Sequence, residues 1–352
     1  MKRKTAALAI MLGIIGTIAM TGCGSANVEV DASKNEDLSA KVTDQNKVDD
    51  SADAYQKFLD AQKAMEGTDS ITIASEMIVS ITQEGKKEEH SQRFDIKRAV
   101  TDEKQTVDFT MDMATTAFKE DGTEDTENSS KRSLPGYYYD GMLYYTQPLS
   151  DTEGDNVKLK EEITYDELMS IIGSTYILND ITADQIETTA SESKNGGTQY
   201  IYILNKDAMS DYMLNNLAAS GIPFDENGGV TINHANVSAD INKDGILTAY
   251  TFSVDAVIND ETGEVPFSYN IASAFTNVNS TSVEKKSEEE FAEYITAEEY
   301  AKQLQEEQAQ LEEMPVDENP AEALEEIPEA ESAQDIELEL PEDQTAEIKI
   351  GE

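Results

Sequence analysis

Cys23 is the only cysteine among the 352 residues, and its position predicts a specific chemical modification of its thiol. Three basic residues, Lys2, Arg3 and Lys4, precede an uncharged and mostly apolar run over residues 5–20. This run is shorter than the roughly 20 apolar residues of a membrane-spanning helix, and it is typical of the hydrophobic part of a signal peptide. A thiol directly after such a run is the side chain that most readily forms a thioether with a lipid.

The residues around this thiol, MTGCGS from Met20 to Ser25, resemble the bacterial lipobox, in which small residues precede a cysteine that receives a diacylglyceryl group. The resemblance implies cleavage between Gly22 and Cys23, so residues 1–22 are a signal peptide and Cys23 is the lipidated first residue of the mature chain. Two acyl chains hold a protein stably on a bilayer. We therefore expect a lipoprotein on the extracytoplasmic side of the cell membrane, without disulfides.

No set of residues in the sequence predicts catalysis. The two histidines, His90 and His234, are far apart in the sequence, and each has polar neighbours. The sequence contains no second cysteine, no Gly-x-Ser-x-Gly and no Walker-type loop. We expect no enzymatic activity, no cofactor and no metal site.

One segment matches the first half of a calcium-binding loop. Asp240, Asn242, Asp244 and Gly245 have the spacing of an EF-hand, but the twelfth position, where that loop needs a bidentate glutamate, is Thr251. The segment is better interpreted as an Asp-Gly turn between two strands.

Tyrosine and methionine side chains are the candidates for binding a ligand. Tyr138 and Tyr144 belong to a tyrosine-rich segment that could stack on sugar rings or form cross-strand aromatic pairs. Four methionines could line an adaptable apolar pocket, because methionine fills irregular space, or could pack in an ordinary core. They are Met111, Met113, Met209 and Met213.

The net charge of −46 at pH 7 limits the classes of partner. Such a surface repels phosphates, so we exclude nucleic acid, and it argues against electrostatic attachment to anionic lipids. Residues 315–352 are rich in Glu and Pro and predict a disordered acidic tail. The tail is either a solvated extension or a segment that attracts divalent cations or basic partners.

The periodicity of the chain predicts the elements that position these residues. Residues 24–50 are polar and aperiodic, which is typical of a flexible tether after Cys23, and residues 51–66 predict an amphipathic helix. Period-two runs then predict an antiparallel sheet, with short helices near residues 165–173 and 207–219. Residues 281–314 are expected to contain a charged helix, over about 288–313.

This order of elements resembles the LolA/LppX-like lipoproteins and the related lipoproteins of Gram-positive bacteria. The resemblance is carried by DGMLYY (residues 140–145), by DINKDGIL (residues 240–247) and by the amphipathic helix before the first strand, and it covers residues 51–280. It implies an α+β fold in which helices cover the concave face of a strongly curved antiparallel sheet, or half-barrel. The implied function is binding or carrying a lipid or other apolar ligand. The alternative is a cell-envelope interaction protein without a small-molecule ligand.

Overall fold

The computed structural model describes residues 30–313 except 84, 150–155, 174–175, 220–228 and 261–262. Cys23, the predicted signal peptide and the predicted acidic tail lie outside the described residues. The strands are β1 (Ser70–Gln83), β2 (Lys86–Thr101), β3 (Lys104–Ala117), β4 (Ser130–Tyr139), β5 (Met142–Pro148), β6 (Asn156–Glu162), β7 (Ile186–Lys194), β8 (Gly197–Leu204), β9 (Gly229–Ile241), β10 (Leu247–Asp260) and β11 (Gly263–Thr276). The α-helices are α1 (Ser51–Glu66), α2 (Tyr165–Ile172), α3 (Lys206–Ala219) and α4 (Ala297–Glu313).

The eleven strands form one open antiparallel sheet in the order β6-β5-β4-β3-β2-β1-β11-β10-β9-β8-β7. The chain therefore makes two meanders that meet where β1 pairs with β11, with Met77 opposite Ile271. The predicted α+β fold, a curved antiparallel sheet with helices, is confirmed. Strand β6, at one edge of the sheet, is an element that the sequence analysis missed.

Tight turns form at Asp-Gly and Asn-Gly pairs of the sequence, including Asp140-Gly141 and Asn195-Gly196. Asp140 and Gly141 have φ values of 52° and 85°, and this left-handed backbone at both central residues matches the twist of a two-residue hairpin. The EF-hand-like segment is also a turn, because the Asn242 side-chain oxygen accepts hydrogen bonds from the backbone N–H groups of Asp244 and Ile246. Thr251, at the twelfth position, lies inside β10.

Helix α1 closes one side of the sheet. Its buried residues, Ala54, Phe58, Ala61 and Met65, recur at helical spacing, and Asp50 caps the first turn by accepting from two backbone N–H groups. The helix packs against β7, β9 and β10. It therefore lies over the apolar face of the sheet, which is called the helix side below.

The segment from residue 30 to residue 48, called the N-terminal strap, crosses the opposite face of the sheet. Ala32 and Leu38 are buried, the Asn35 amide donates to the carbonyls of Phe252 and Ile271, and the Val48 N–H donates to the Thr189 carbonyl. The prediction of a flexible tether over residues 24–50 is thus wrong for this part. Polar side chains bond directly to the sheet backbone, a contact that leaves no periodic signal in the sequence.

Residues 281–296, called the C-terminal strap, continue the packing beyond the predicted boundary at residue 280. Val283 packs with Ala99 and Tyr137, and Ile295 exchanges backbone hydrogen bonds with the edge strand β6. The helix predicted over about 288–313 is not continuous. A 3-10 helix covers Glu288–Phe291, and α4 begins only at Ala297. The strap covers an edge strand that would otherwise expose unpaired backbone groups.

None of the helices in the described part of the chain is long and apolar enough to cross a membrane.

Candidate functional site

The helix side of the sheet carries one large hydrophobic cluster, and one half of this cluster is filled by aromatic rings. Tyr176 contacts Phe58, Tyr250 and Phe275, with ring centroids 5.9, 5.1 and 6.2 Å apart. The Tyr250 hydroxyl, fully buried, accepts a hydrogen bond of 3.0 Å from the Ile177 N–H. Burial raises the pKa of Tyr250, so this hydroxyl stays protonated. This half is a packed core.

The other half carries flexible methionines, and we call the apolar surface formed by Met77, Phe94, Met111 and Met113 the methionine patch. The strand register places Met77 opposite Gln92 and Gln92 opposite Met113, while Phe94 lies opposite Met111. Met111 is buried, whereas Met77, Phe94 and Met113 are only partly buried. An adaptable apolar surface that retains some exposure is the chemistry expected of a site for an alkyl chain.

All four predicted methionines are part of the large hydrophobic cluster on the helix side of the sheet. Met209 and Met213, on α3, are buried in the same hydrophobic cluster as Met111, and Met113 packs against it. Helix α3 packs against β9. The four methionines therefore belong to one apolar layer but to different parts of it, Met111 and Met113 on β3 and Met209 and Met213 beside β9.

The two predicted tyrosines are separated by the sheet. Tyr138 is buried in the main cluster, 6.3 Å from Tyr165 between ring centroids. Tyr144 lies on the opposite face, where Phe291 stacks on it at 3.8 Å. A single stacking platform made by both rings is thus not formed, and the cross-strand alternative describes the pair Tyr137 and Tyr144.

Two buried polar residues interrupt the methionine patch. His90 and Gln92 are 4% and 6% exposed, and both face the same side of β2 as Phe94. The Gln92 amide donates to the Met111 sulfur at 2.8 Å, a weak acceptor. His90 Nδ1 lies 3.2 Å from the Thr115 hydroxyl.

The second ring nitrogen of His90 makes no hydrogen bond. A Glu88 carboxylate oxygen lies 3.1 Å from this Nε2, but the pair does not have hydrogen-bond geometry, and it is an ion pair only when the ring is protonated. Burial lowers the pKa of His90 although Glu88 opposes the shift, so the ring is neutral at neutral pH. These two residues were not predicted as site residues from the sequence. They occupy the positions of β2 that alternate onto the same face as Phe94 and Ile96, and polar residues at such positions are the signal that could have identified them.

A cleft of about 610 Å³ lies beside the β4–β5 turn, lined in part by Tyr138, Tyr165 and Met142. Two of its three carboxylates, Glu167 and Asp140, already have partners within the chain. Glu167 completes a capping box with Thr164 at the start of α2, and Asp140 pairs with Lys104. The cleft therefore presents few polar groups that are available to a ligand.

The face of the sheet opposite the helices carries an arrangement like that of a hydrolase triad. There His234 lies between the Ser253 hydroxyl and the Asp255 carboxylate. His234 Nε2 is 3.3 Å from the Ser253 hydroxyl, and Nδ1 is 3.5 Å from the Asp255 carboxylate. Ser253 is only 3% exposed and lies within β10, so a substrate cannot reach it in this conformation. Within the described ranges, no group of three or more His, Cys, Asp or Glu side chains could hold a metal ion.

No family model and no curated protein matches the chain. The solved structures similar to it include an N-terminal dehydratase from the difficidin assembly line, at 10% identity, covering 65% of this chain and 84% of that one, with a TM-score of 0.12. They also include the dehydratase domain from the CurF module of curacin polyketide synthase, at 10% identity, 62% and 82% coverage and a TM-score of 0.11. A bifunctional dehydratase-cyclase domain in ambruticin biosynthesis has 9% identity, 63% and 79% coverage and a TM-score of 0.11. Scores this low support no inference about fold or activity.

Proposed function

We propose that this chain is a lipoprotein, anchored to the extracytoplasmic side of the cell membrane through Cys23, that binds or carries a lipid or another apolar ligand. The observation that carries the proposal is the methionine patch, a partly exposed apolar surface on the helix side of an open eleven-stranded sheet. The proposal contains no catalytic step and needs no cofactor.

The two halves of the helix side support different roles. The aromatic half, with its T-shaped contacts among Phe58, Tyr176 and Tyr250, is suited to holding the fold. The methionine half can admit an alkyl chain by changing side-chain rotamers, because methionine is unbranched and polarizable. We place the ligand there, on the face formed by β1, β2 and β3.

The proposed anchor would hold the domain close to the bilayer. Val30, seven residues after Cys23, is already bound to the sheet through its carbonyl, which accepts from Arg93. Seven extended residues reach at most about 25 Å. A short connection suits a protein that takes an apolar ligand from a membrane or returns it there.

A cell-envelope interaction protein is the second candidate, and the filled aromatic half favours it.

Co-purification separates the two functions. Residues 24–352 keep every described contact, and we would examine this chain by native mass spectrometry and organic extraction. A bound apolar molecule that is released on unfolding is the expected result. A ligand-free mass that stays unchanged after incubation with envelope lipids would overturn the carrier proposal.

A further inference from the structure

The polar pair in the methionine patch is not explained by folding. Gln92 is buried with a thioether as the acceptor for its amide, and the Nε2 of His90 is buried without a hydrogen bond. A buried polar group without a good partner typically costs stability, and nearly all such groups in folded proteins are paired. Two neighbouring residues with poorly paired buried polar groups, such as His90 and Gln92, are typical of a functional site.

Their positions define where a polar group of a ligand would lie. His90 pairs across the sheet with Val79 and Thr115, and Gln92 pairs with Met77 and Met113. Gln92 therefore lies within the surface that we propose for the alkyl chain, and His90 lies next to Gln92 on the same face of β2. A ligand that is apolar along its whole length would leave them unsatisfied.

We propose that His90 and Gln92 bind the polar head of an amphiphile while its alkyl chain lies on the methionine patch. This inference rests on the proposed function and specifies its ligand class: a lipid with an uncharged, hydroxyl-bearing head, as in an acylglycerol. Gln92 supplies both a donor and an acceptor, and a neutral imidazole accepts or donates through Nε2.

The charges around the pair favour an uncharged head. The Glu88 carboxylate, 3.1 Å from His90 Nε2, would repel an anionic carboxylate or phosphate group. Arg132 lies opposite Met113 and already has a polar interaction of its own. A hydroxyl group can donate to Glu88 and accept from Gln92, which a fatty-acid anion cannot do.

The test compares three probes of similar chain length on residues 24–352: monooleoylglycerol, oleate and the headless alkene 1-octadecene. Affinity is measured by displacement of an uncharged fluorescent probe. We expect wild type to prefer monooleoylglycerol over the alkene by about tenfold or more, which is the contribution of one or two hydrogen bonds. We expect Gln92→Met to lower the affinity for monooleoylglycerol about tenfold and to leave the alkene unchanged.

Ser91→Ala is the matched control, because Ser91 lies between the two residues on the opposite face of β2. Gln92→Leu repeats the test if Gln92→Met does not fold. Binding of none of the three probes would overturn the proposed function and this inference together. Equal affinity for monooleoylglycerol and the alkene, unchanged by both Gln92 variants, would overturn only the inference, and preference for oleate would overturn the uncharged head.

Discussion

The rings of Tyr144 and Phe291 stack with their centroids 3.8 Å apart and their planes 17° from parallel. Tyr137 and Tyr294 contact the same phenylalanine at 5.3 and 5.6 Å. Phe291 is thus the apolar centre of the C-terminal strap, and seven of the fifteen other residues of this segment are charged. The strap belongs to the fold of the sheet and is not a linker after it.

Phe291→Ala should lower the free energy of unfolding by about 2–3 kcal/mol, since a partly buried phenylalanine loses both its apolar contacts and its ring stacking. Urea unfolding followed by circular dichroism measures the change. Ile171→Ala, at an apolar side chain on α2 that is 37% exposed, is the control and should change stability by less than about 0.5 kcal/mol. Equal effects of the two substitutions would show that the strap does not stabilise the domain.

The sheet could be predicted from sequence because its signals are local. Runs such as β1 alternate apolar and polar residues over a long stretch, and Asp140-Gly141 supplies the left-handed backbone that a tight hairpin needs. Helix α1 was equally clear, because four buried residues recur at helical spacing. These local signals do not predict the order of the strands in the sheet, which depends on pairing between distant segments such as β1 and β11.

The straps and the polar pair could not be predicted in the same way. Asn35 contacts β10 and β11 through one side-chain amide. Phe291 follows three consecutive glutamates, and its segment has too few apolar residues to show a period. Met111 and Met113 were predicted as site residues from the chemistry of methionine, whereas Met77 was not. His90 and Gln92 were missed because polar residues at inward positions contradict the pattern by which inward positions are recognised.

The Asn35→Ala substitution should release the N-terminal strap. The amide of Asn35 donates to the Phe252 and Ile271 carbonyls at 2.9 and 2.8 Å, and the loss of both bonds should cost about 1–2 kcal/mol. We expect faster hydrogen exchange over residues 32–42 and faster tryptic cleavage after Lys34 and Lys41. Gln45→Ala, at an exposed position of the same strap, should leave both rates unchanged. Unchanged protection in Asn35→Ala would mean that other contacts hold the strap.

Arg98 should be among the most sensitive buried polar positions. Its guanidinium donates to the Met65 and Thr68 carbonyls at the end of α1 and to the Tyr165 hydroxyl on α2, which joins two helices to β2. A cation at this helix C-terminus is also favoured by the helix dipole. Arg98→Met should lower the free energy of unfolding by about 3 kcal/mol, and Arg98→Lys should recover little of it, because an ammonium lacks the planar fork. Full recovery by lysine would show that charge alone matters at this position.

His90 should make the fold less stable in mild acid. Burial holds the pKa of its ring below the ordinary value of 6.5, so the unfolded chain takes up a proton at a higher pH than the folded chain. Above about pH 7 both states are neutral and the group has no effect. As the pH falls below 6.5, proton uptake favours the unfolded state, with a slope of at most about 1.4 kcal/mol per pH unit for this one group.

Carboxylates also titrate in mild acid, so the measured quantity is the difference between wild type and His90→Gln in urea-unfolding free energy, at pH 7.5 and at pH 5.5. We expect wild type to lose more stability than His90→Gln between these two values, and Ser91→Ala to lose as much as wild type. Parallel losses in wild type and His90→Gln would show that the His90 ring is protonated as readily in the fold as in water. In that case the ring would not be the neutral, poorly partnered group that we assign to the ligand head.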